Sequence, residues 1–396
     1  MANTIKLGNG NWATKEGSLL AYNDENNNFK PLPFTTTRAS SATVVNKQGL
    51  IETVGSGIPR IDFSDDTKGA LLLEPSRTNS LLQSNQFDTT WTTGNASLTY
   101  GESGIGGSID AWKLTTTSTS SSKIIQTETL SGLQVLSIYA KANTSDFIVL
   151  EKAGTGGFYS WFDLRNGIVG TSVGVSNTLI ESVGNGWYRC SIIGTISSAT
   201  RLQIFVAESD GVVTNPIGSS IYIQYAQLEQ GSYATSYIPT QGTTQTRVAD
   251  TASGSGNSTV INSSEGVLYA EISALANDGT NRYISLSDGS TSNRVNIFFD
   301  TNNRLRVFYN GLSGSISINI DTTINNKIAF KYKSGDSALF VNGTEVATRT
   351  DSLSLVGLDS VSFYLSGGSV FYGKIKDLRV YATALSDEEL TTLTTI

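Results

Sequence analysis

Apolar and polar residues alternate with a period of two in many short runs along the chain. Val295, Ile297 and Phe299 share one side, with polar Asn296 and aromatic Phe298 on the other. After Thr301-Asn302-Asn303 the alternation resumes as Leu305, Val307 and Tyr309 against Arg304 and Arg306. This predicts a β-hairpin with one buried face. Lys327-Ile328-Ala329-Phe330-Lys331-Tyr332-Lys333 likewise sets three lysines against Ile328, Phe330 and Tyr332. Further strand-like runs lie at Leu133–Ala140, Phe147–Leu150, Phe158–Leu164, Trp187–Ile193, Leu202–Ala207 and Ile221–Ala226. Arg165-Asn166-Gly167, Gly184-Asn185-Gly186 and Asn342-Gly343 separate strands with residues suited to tight turns. Only the C-terminal segment reads differently. Ser386-Asp387-Glu388-Glu389 is a capping box, and Leu385, Leu390 and Leu393 can staple one short helix onto a sheet.

The expected fold class is therefore all-β, with two antiparallel β-sandwich (jelly-roll) domains after an irregular N-terminal region. Composition agrees. Of 396 residues, 38% are hydrophobic and only 15% charged, and 39 glycines stand beside 6 prolines. Such a chain favours sheets and turns over charged amphipathic helices. Three zones emerge: 1–80, 84–250 and 265–396, with the Ser/Gly/Asn/Thr-rich stretch 251–264 read as a linker. The first zone mixes turns with short apolar runs at Val44-Val45, Leu50-Ile51 and Leu71-Leu72-Leu73. It fits either extended segments lying against a partner surface or a small β domain of its own.

Several functions are excluded by residue counts. The chain has no histidine and one cysteine, Cys190. Histidine triads, histidine metal sites, internal disulfides and cysteine zinc clusters therefore cannot form. A net charge of −7 argues against a general nucleic-acid binder. The N-terminus lacks the apolar core of a signal peptide, and no apolar run approaches the ~18 residues of a membrane helix, so no membrane insertion is expected.

Specific motifs add a resemblance. Arg38-Ala39-Ser40-Ser41-Ala42-Thr43, Ile58-Pro59-Arg60-Ile61-Asp62-Phe63 and Leu73-Glu74-Pro75-Ser76-Arg77-Thr78-Asn79 occur in that order. They are followed by Ser137–Ala142, Gly184–Cys190, Ala226-Gln227-Leu228-Glu229, Tyr233–Thr240 and Thr246–Asp250. This series resembles tailed-phage fibre and virion structural proteins that carry a carbohydrate-binding jelly-roll module. Leu339–Glu345, Gly373–Tyr381 and Ala384–Leu390 resemble the closing part of the concanavalin-A-like, laminin-G-type lectin sandwich. The resemblance implies a non-enzymatic virion fibre or decoration protein, on the capsid or tail surface. Residues 1–80 would attach to the particle, and both sandwiches would display carbohydrate-binding surfaces to host polysaccharide. It implies other virion proteins as partners and a homotrimer, whose contacts the apolar runs of the first zone would supply. The competing readings are a particle-associated polysaccharide-degrading enzyme and an architectural protein without sugar binding.

Sugar recognition needs aromatic faces and planar polar groups. The aromatic candidates are Trp91 and Trp112 in loop-rich surroundings, and Tyr159 and Trp161 on one face of a strand. Trp187, inside an alternating strand, reads as core. No cofactor is implied except calcium, the usual metal of lectin-like sandwiches, for which Asp278, Asp288 and Asp300 are the candidate ligands. No motif selects a catalytic carboxylate pair, and a serine or cysteine nucleophile would lack a histidine base.

Overall fold

A computed structural model describes the chain apart from residues 1–3, 24–29, 106, 108, 198–199 and 366–367. It is nearly all β, as the alternation predicts, and Asp387–Thr394 is the one helix among the described residues. The chain forms two units. One comprises Met1–Ser41, Val54–Pro75 and Val248–Ile396, the other Ala42–Thr53 and Ser76–Arg247.

The second unit stacks two six-stranded antiparallel sheets. One runs Thr92–Gly94, Ser122–Glu128, Thr200–Ala207, Phe147–Ala153, Phe158–Asp163, Ile168–Val173. The other runs Ala96–Glu102, Ala111–Thr116, Ser220–Gln230, Gly132–Ala142, Trp187–Ile196, Asn177–Ser182. Every second residue points inward, so Ile148, Leu150, Leu202 and Ile204 join Leu136, Ile138 and Ile192 in one core. All six apolar runs read from this part of the sequence are strands. The hairpin turn at Asn166-Gly167 uses a left-handed glycine (φ 67°), and Asn342 and Gly343 are both left-handed (φ 51° and 83°), as a type I′ turn requires.

The first unit is a sandwich of a twelve-stranded and a five-stranded sheet over a single core. The five-stranded sheet runs Ile316–Ile318, Leu305–Tyr309, Arg294–Phe299, Arg282–Ser287, Ser360–Ser362. Val295, Ile297, Phe299, Leu305, Val307 and Tyr309 are all buried on its inner face, matching the predicted hairpin. The helix packs on the outside of the large sheet through Leu390, with Leu385 and Leu393 beside Val267, Tyr269 and Phe340. Its capping box is complete: Ser386 Oγ accepts from Glu389 N (3.3 Å), and Glu389 Oε2 accepts from Ser386 N (2.8 Å).

The N-terminal residues differ from expectation. Ile5–Gly8 pairs with Gly373–Tyr381, and Ser18–Asn23 and Lys30–Thr37 extend the same large sheet. Ala70–Leu73 pairs with Gly373–Tyr381 too, so Leu71, Leu72 and Leu73 are buried within the chain. Val44 is also buried, and Ile51 packs beside Ile105 and Tyr139. These runs are therefore spent on the chain's own cores rather than left free to supply contacts between chains. The stretch 251–264 is not a bare linker either. Thr251–Ser253 pairs with Lys30–Thr37, and Val260 and Ile261 enter the core.

The motif residues meet in buried ionic clusters. In the first unit the Asp250 carboxylate accepts from Arg38 Nη1 (2.9 Å), from Arg60 Nη2 and from Glu74 N (3.0 Å), while Glu74 Oε2 accepts from Arg60 Nη1 (2.6 Å). Burial alone would lower the Arg60 pKa, but Glu74 and Asp250 outweigh it and raise it. In the second unit Glu229 accepts from Thr235 N and Gln227 Nε2, and Arg189 and Arg247 bond the same segment. The ordered motifs are thus scaffold, which ties distant segments together rather than presenting a ligand surface.

Candidate functional site

Each aromatic candidate has a definite place. Trp91 and Trp112 are only 4% and 3% exposed. Their indoles donate to Gln83 O (2.9 Å) and Asn85 O (2.8 Å), and both rings pack edge-on against Phe87. They offer no free face to a sugar, because loops rich in polar residues still need a hydrophobic anchor beneath them. As binding candidates they are replaced by a core role, and Trp187 is core as expected. Tyr159 and Trp161 do share a half-buried outer face, beside Val149, Phe205 and Ala207. Their rings meet at 5.4 Å and 80°, so each occupies part of the other's face.

The metal candidates do not converge. Asp278 accepts from Arg282 Nη2 (2.7 Å) and Thr280 N, and Asp288 from Ser290 N and Asn293 Nδ2. Asp300 accepts from Arg304 Nη2 (2.7 Å) and from the amides of Asn302 and Arg304. Burial pushes the Asp300 pKa up, but the bonds from Arg304 outweigh it and hold the carboxyl below its ordinary value. Among the described residues no three His, Cys, Asp or Glu side chains are grouped to hold a metal ion. Each aspartate is engaged in its own loop.

A candidate site lies on the outer face of the five-stranded sheet. Register brings Tyr283, Phe298 and Arg306 side by side on three adjacent strands. The next row out of the pleat is Ser285, Asn296 and Phe308. Arg294 follows on the central strand. A cavity of about 490 Å³ opens over this array, closed at its sides by Asn281, Thr301-Asn302 and Gly314-Ser315. The strand alternation that buries Val295, Ile297 and Phe299 necessarily turns these residues outward.

Contacts hold the array in place. The rings of Tyr283 and Phe298 stack at 4.4 Å and 10°. The guanidinium of Arg306 lies 5.5 Å over Phe298 and that of Arg294 5.1 Å over Phe308. Asn296, 1% exposed, donates from Nδ2 to Ser285 Oγ (2.8 Å) and accepts from Arg294 Nε (3.0 Å) in the amide orientation that satisfies its neighbours. Arg306 donates to Ser315 Oγ and sits 3.6 Å from Asp300. Burial raises the Tyr283 pKa, with Arg294 and Arg306 pulling it back and Asp300 adding to the rise. In the packed row Phe298 is 6% exposed between Tyr283 and Arg306, and Tyr283 is the half-buried ring able to meet a ligand. The pocket thus combines that ring with charged and amide hydrogen-bond donors. That is the pairing which lets a site recognise a polyhydroxylated ring, apolar on its C–H face and polar around its rim.

Of the site residues, the sequence had selected only Asp300, and for a different role. Arg304, Arg306, Asn296 and Phe298 had been noted as the side opposite the buried one. The missed signal was the trio of aromatics Tyr283, Phe298 and Phe308 on the face opposite the buried one.

Residues 249–391 match the model of the concanavalin A-like lectin/glucanases superfamily, of the laminin G type. A concanavalin A-like jelly-roll domain is therefore part of this chain. A search of curated protein sequences finds no match. Among solved structures, the chain is similar to the carbohydrate-binding module CBM40 of the Ruminococcus gnavus IT-sialidase (19% identity, 36% of this chain and 93% of that one, TM-score 0.30). It is also similar to domain 4 of AbnA, an extracellular arabinanase from Geobacillus stearothermophilus, in complex with arabinotriose (18%, 42% and 84%, TM-score 0.29). A Trypanosoma rangeli sialidase aligns along 95% of this chain and 81% of its own at 8% identity and a TM-score of 0.29. Over residues 249–391 the fold is that of a concanavalin A-like, lectin-like β-sandwich.

Proposed function

We propose that the protein is a non-enzymatic virion fibre or decoration protein of a tailed phage, which holds host-surface carbohydrate in the pocket above Tyr283, Asn296 and Phe298. The observation that carries the sugar reading is that pocket: about 490 Å³, floored by stacked aromatics and ringed by arginine and asparagine. The virion setting rests on the ordered motifs from Arg38 to Asp250, whose residues build the scaffold. The absence of histidine excludes a serine or cysteine nucleophile with a histidine base, and no motif selects a carboxylate pair for glycoside hydrolysis. The homotrimer belongs to this proposal, since three copies multiply weak sugar contacts by avidity of ~10²–10⁴-fold.

A glycan array probed with the full-length chain and with Tyr283→Ala and Phe308→Ala tests the reading. Binding should be lost in both variants and kept in Trp161→Ala. Binding that survives both pocket substitutions moves the sugar site elsewhere. Release of reducing ends from a bound polysaccharide would replace the binding reading with an enzymatic one, and a monomer mass in light scattering would remove the trimer.

A further inference from the structure

We infer that the pocket selects carbohydrates bearing a carboxylate, and that Arg294 and Arg306 are the residues that read it. This rests on the carbohydrate reading of the same pocket. The chain as a whole carries a charge of −7, yet the lining sets Arg294 and Arg306 against one carboxylate, Asp300. Asp300 is already held by Arg304 at 2.7 Å and by two backbone amides, and Arg306 reaches it only at 3.6 Å. Arg294 makes no ion pair within 4.0 Å among the described residues, and Arg306 Nε is a buried donor without a partner there. The cavity therefore holds an excess of positive charge that protein groups do not neutralise.

Geometry brings both cations to the lining of one cavity. Each guanidinium lies over a ring of the array, which fixes its plane. Arg294 is further held through Nε by Asn296. Arg306 stands beside Phe298 and Arg294 beside Phe308 on adjoining strands, and both line the one cavity. A neutral sugar seated here would desolvate two guanidinium groups and leave them without a counter-charge, which is unfavourable. A carboxylate on the sugar supplies planar acceptors that match the guanidinium fork. Tyr283, the half-buried ring at the end of the row, then takes the C–H face of the same residue.

The test uses the full-length chain on an array of sialylated, uronate-containing, sulfated and neutral glycans. Calorimetry follows, with the best carboxylated glycan and its methyl ester. Binding should be confined to carboxylated glycans, and esterification should weaken it by roughly 10- to 100-fold. Arg294→Gln and Arg306→Gln should each lose a comparable factor, with Arg→Lys variants falling between because they keep charge but lose the fork. Unchanged thermal unfolding of the variants separates lost recognition from lost folding. Equal binding of the ester, or of sulfated and carboxylated glycans, overturns the inference. Neutral glycans bound as well as acidic ones, and released by Tyr283→Ala, overturn it while leaving the carbohydrate reading intact. No binding to any glycan overturns both.

Discussion

Replacing Asp250 by Asn should destabilise the first unit more than any exposed charge deletion in the chain. The carboxylate is 4% exposed and accepts from two guanidinium groups and one backbone amide. With Glu74 it balances Arg38 and Arg60, so two positive and two negative groups share one buried site. The substitution preserves volume but leaves one unit of positive charge uncompensated. Removing one partner of a buried pair costs about 3–5 kcal/mol. At roughly 2–4 °C per kcal/mol for a unit of this size, the transition should fall by roughly 6–20 °C. Asp146→Asn is the control. Its partner Arg165 is bonded twice at 2.8 Å but is 65% exposed, so the loss should stay below about 1 kcal/mol. Calorimetry gives the shift. Hydrogen exchange locates it, because protection should fall in peptides covering Lys30–Thr37 and Ala70–Leu73, whose segments the cluster ties down. Equal small shifts for both variants would show that the cluster is not what holds these segments.

Other substitutions probe the two sandwiches separately. Ser386→Ala should cost about 1 kcal/mol and speed amide exchange in 387–393, since the cap satisfies orphan amides of the first turn; unchanged exchange there would refute the capping role. Lys152 is fully buried and its ammonium has no hydrogen-bond partner among the described residues, so Lys152→Met should stabilise the second unit by roughly 1–3 kcal/mol in urea unfolding. Burial depresses the Lys152 pKa below its ordinary 10.5, and Glu128 only partly offsets this. The native state therefore sheds this proton before the unfolded chain does. The penalty is full below the folded pKa and fades as pH rises toward 10.5, so the gain from Met should be largest at neutral pH and shrink in alkali. A gain that grows with pH would contradict that sign.

The strands of the second unit were readable because each run alternates between turn residues, although only some of its pairings are local hairpins. Phe158–Asp163 and Ile168–Val173, for example, are joined through the Asn166-Gly167 turn that marks them. Ile5–Gly8 was not readable in the same way. Its partner is Gly373–Tyr381, at the other end of the chain, and four residues alone carry too little pattern to name it. The stretch 251–264 misled because polar composition says nothing about whether two apolar residues, Val260 and Ile261, find a core. The binding pocket was hidden for a related reason. It takes one to three residues from each of three strands, and only register shows that Tyr283, Phe298 and Arg306 stand in one row. Trp91 and Trp112 drew attention by residue type, whereas exposure decides which aromatic ring can meet a ligand.

The carbohydrate site is tested most directly by a crystal structure of the full-length protein soaked with the tightest glycan from the array. The account predicts a sugar ring seated above Phe298 and Tyr283, within hydrogen-bond distance of Arg294 or Arg306. A glycan ordered against Tyr159 and Trp161 instead, or a pocket that stays empty while the protein binds the same glycan in solution, would contradict it.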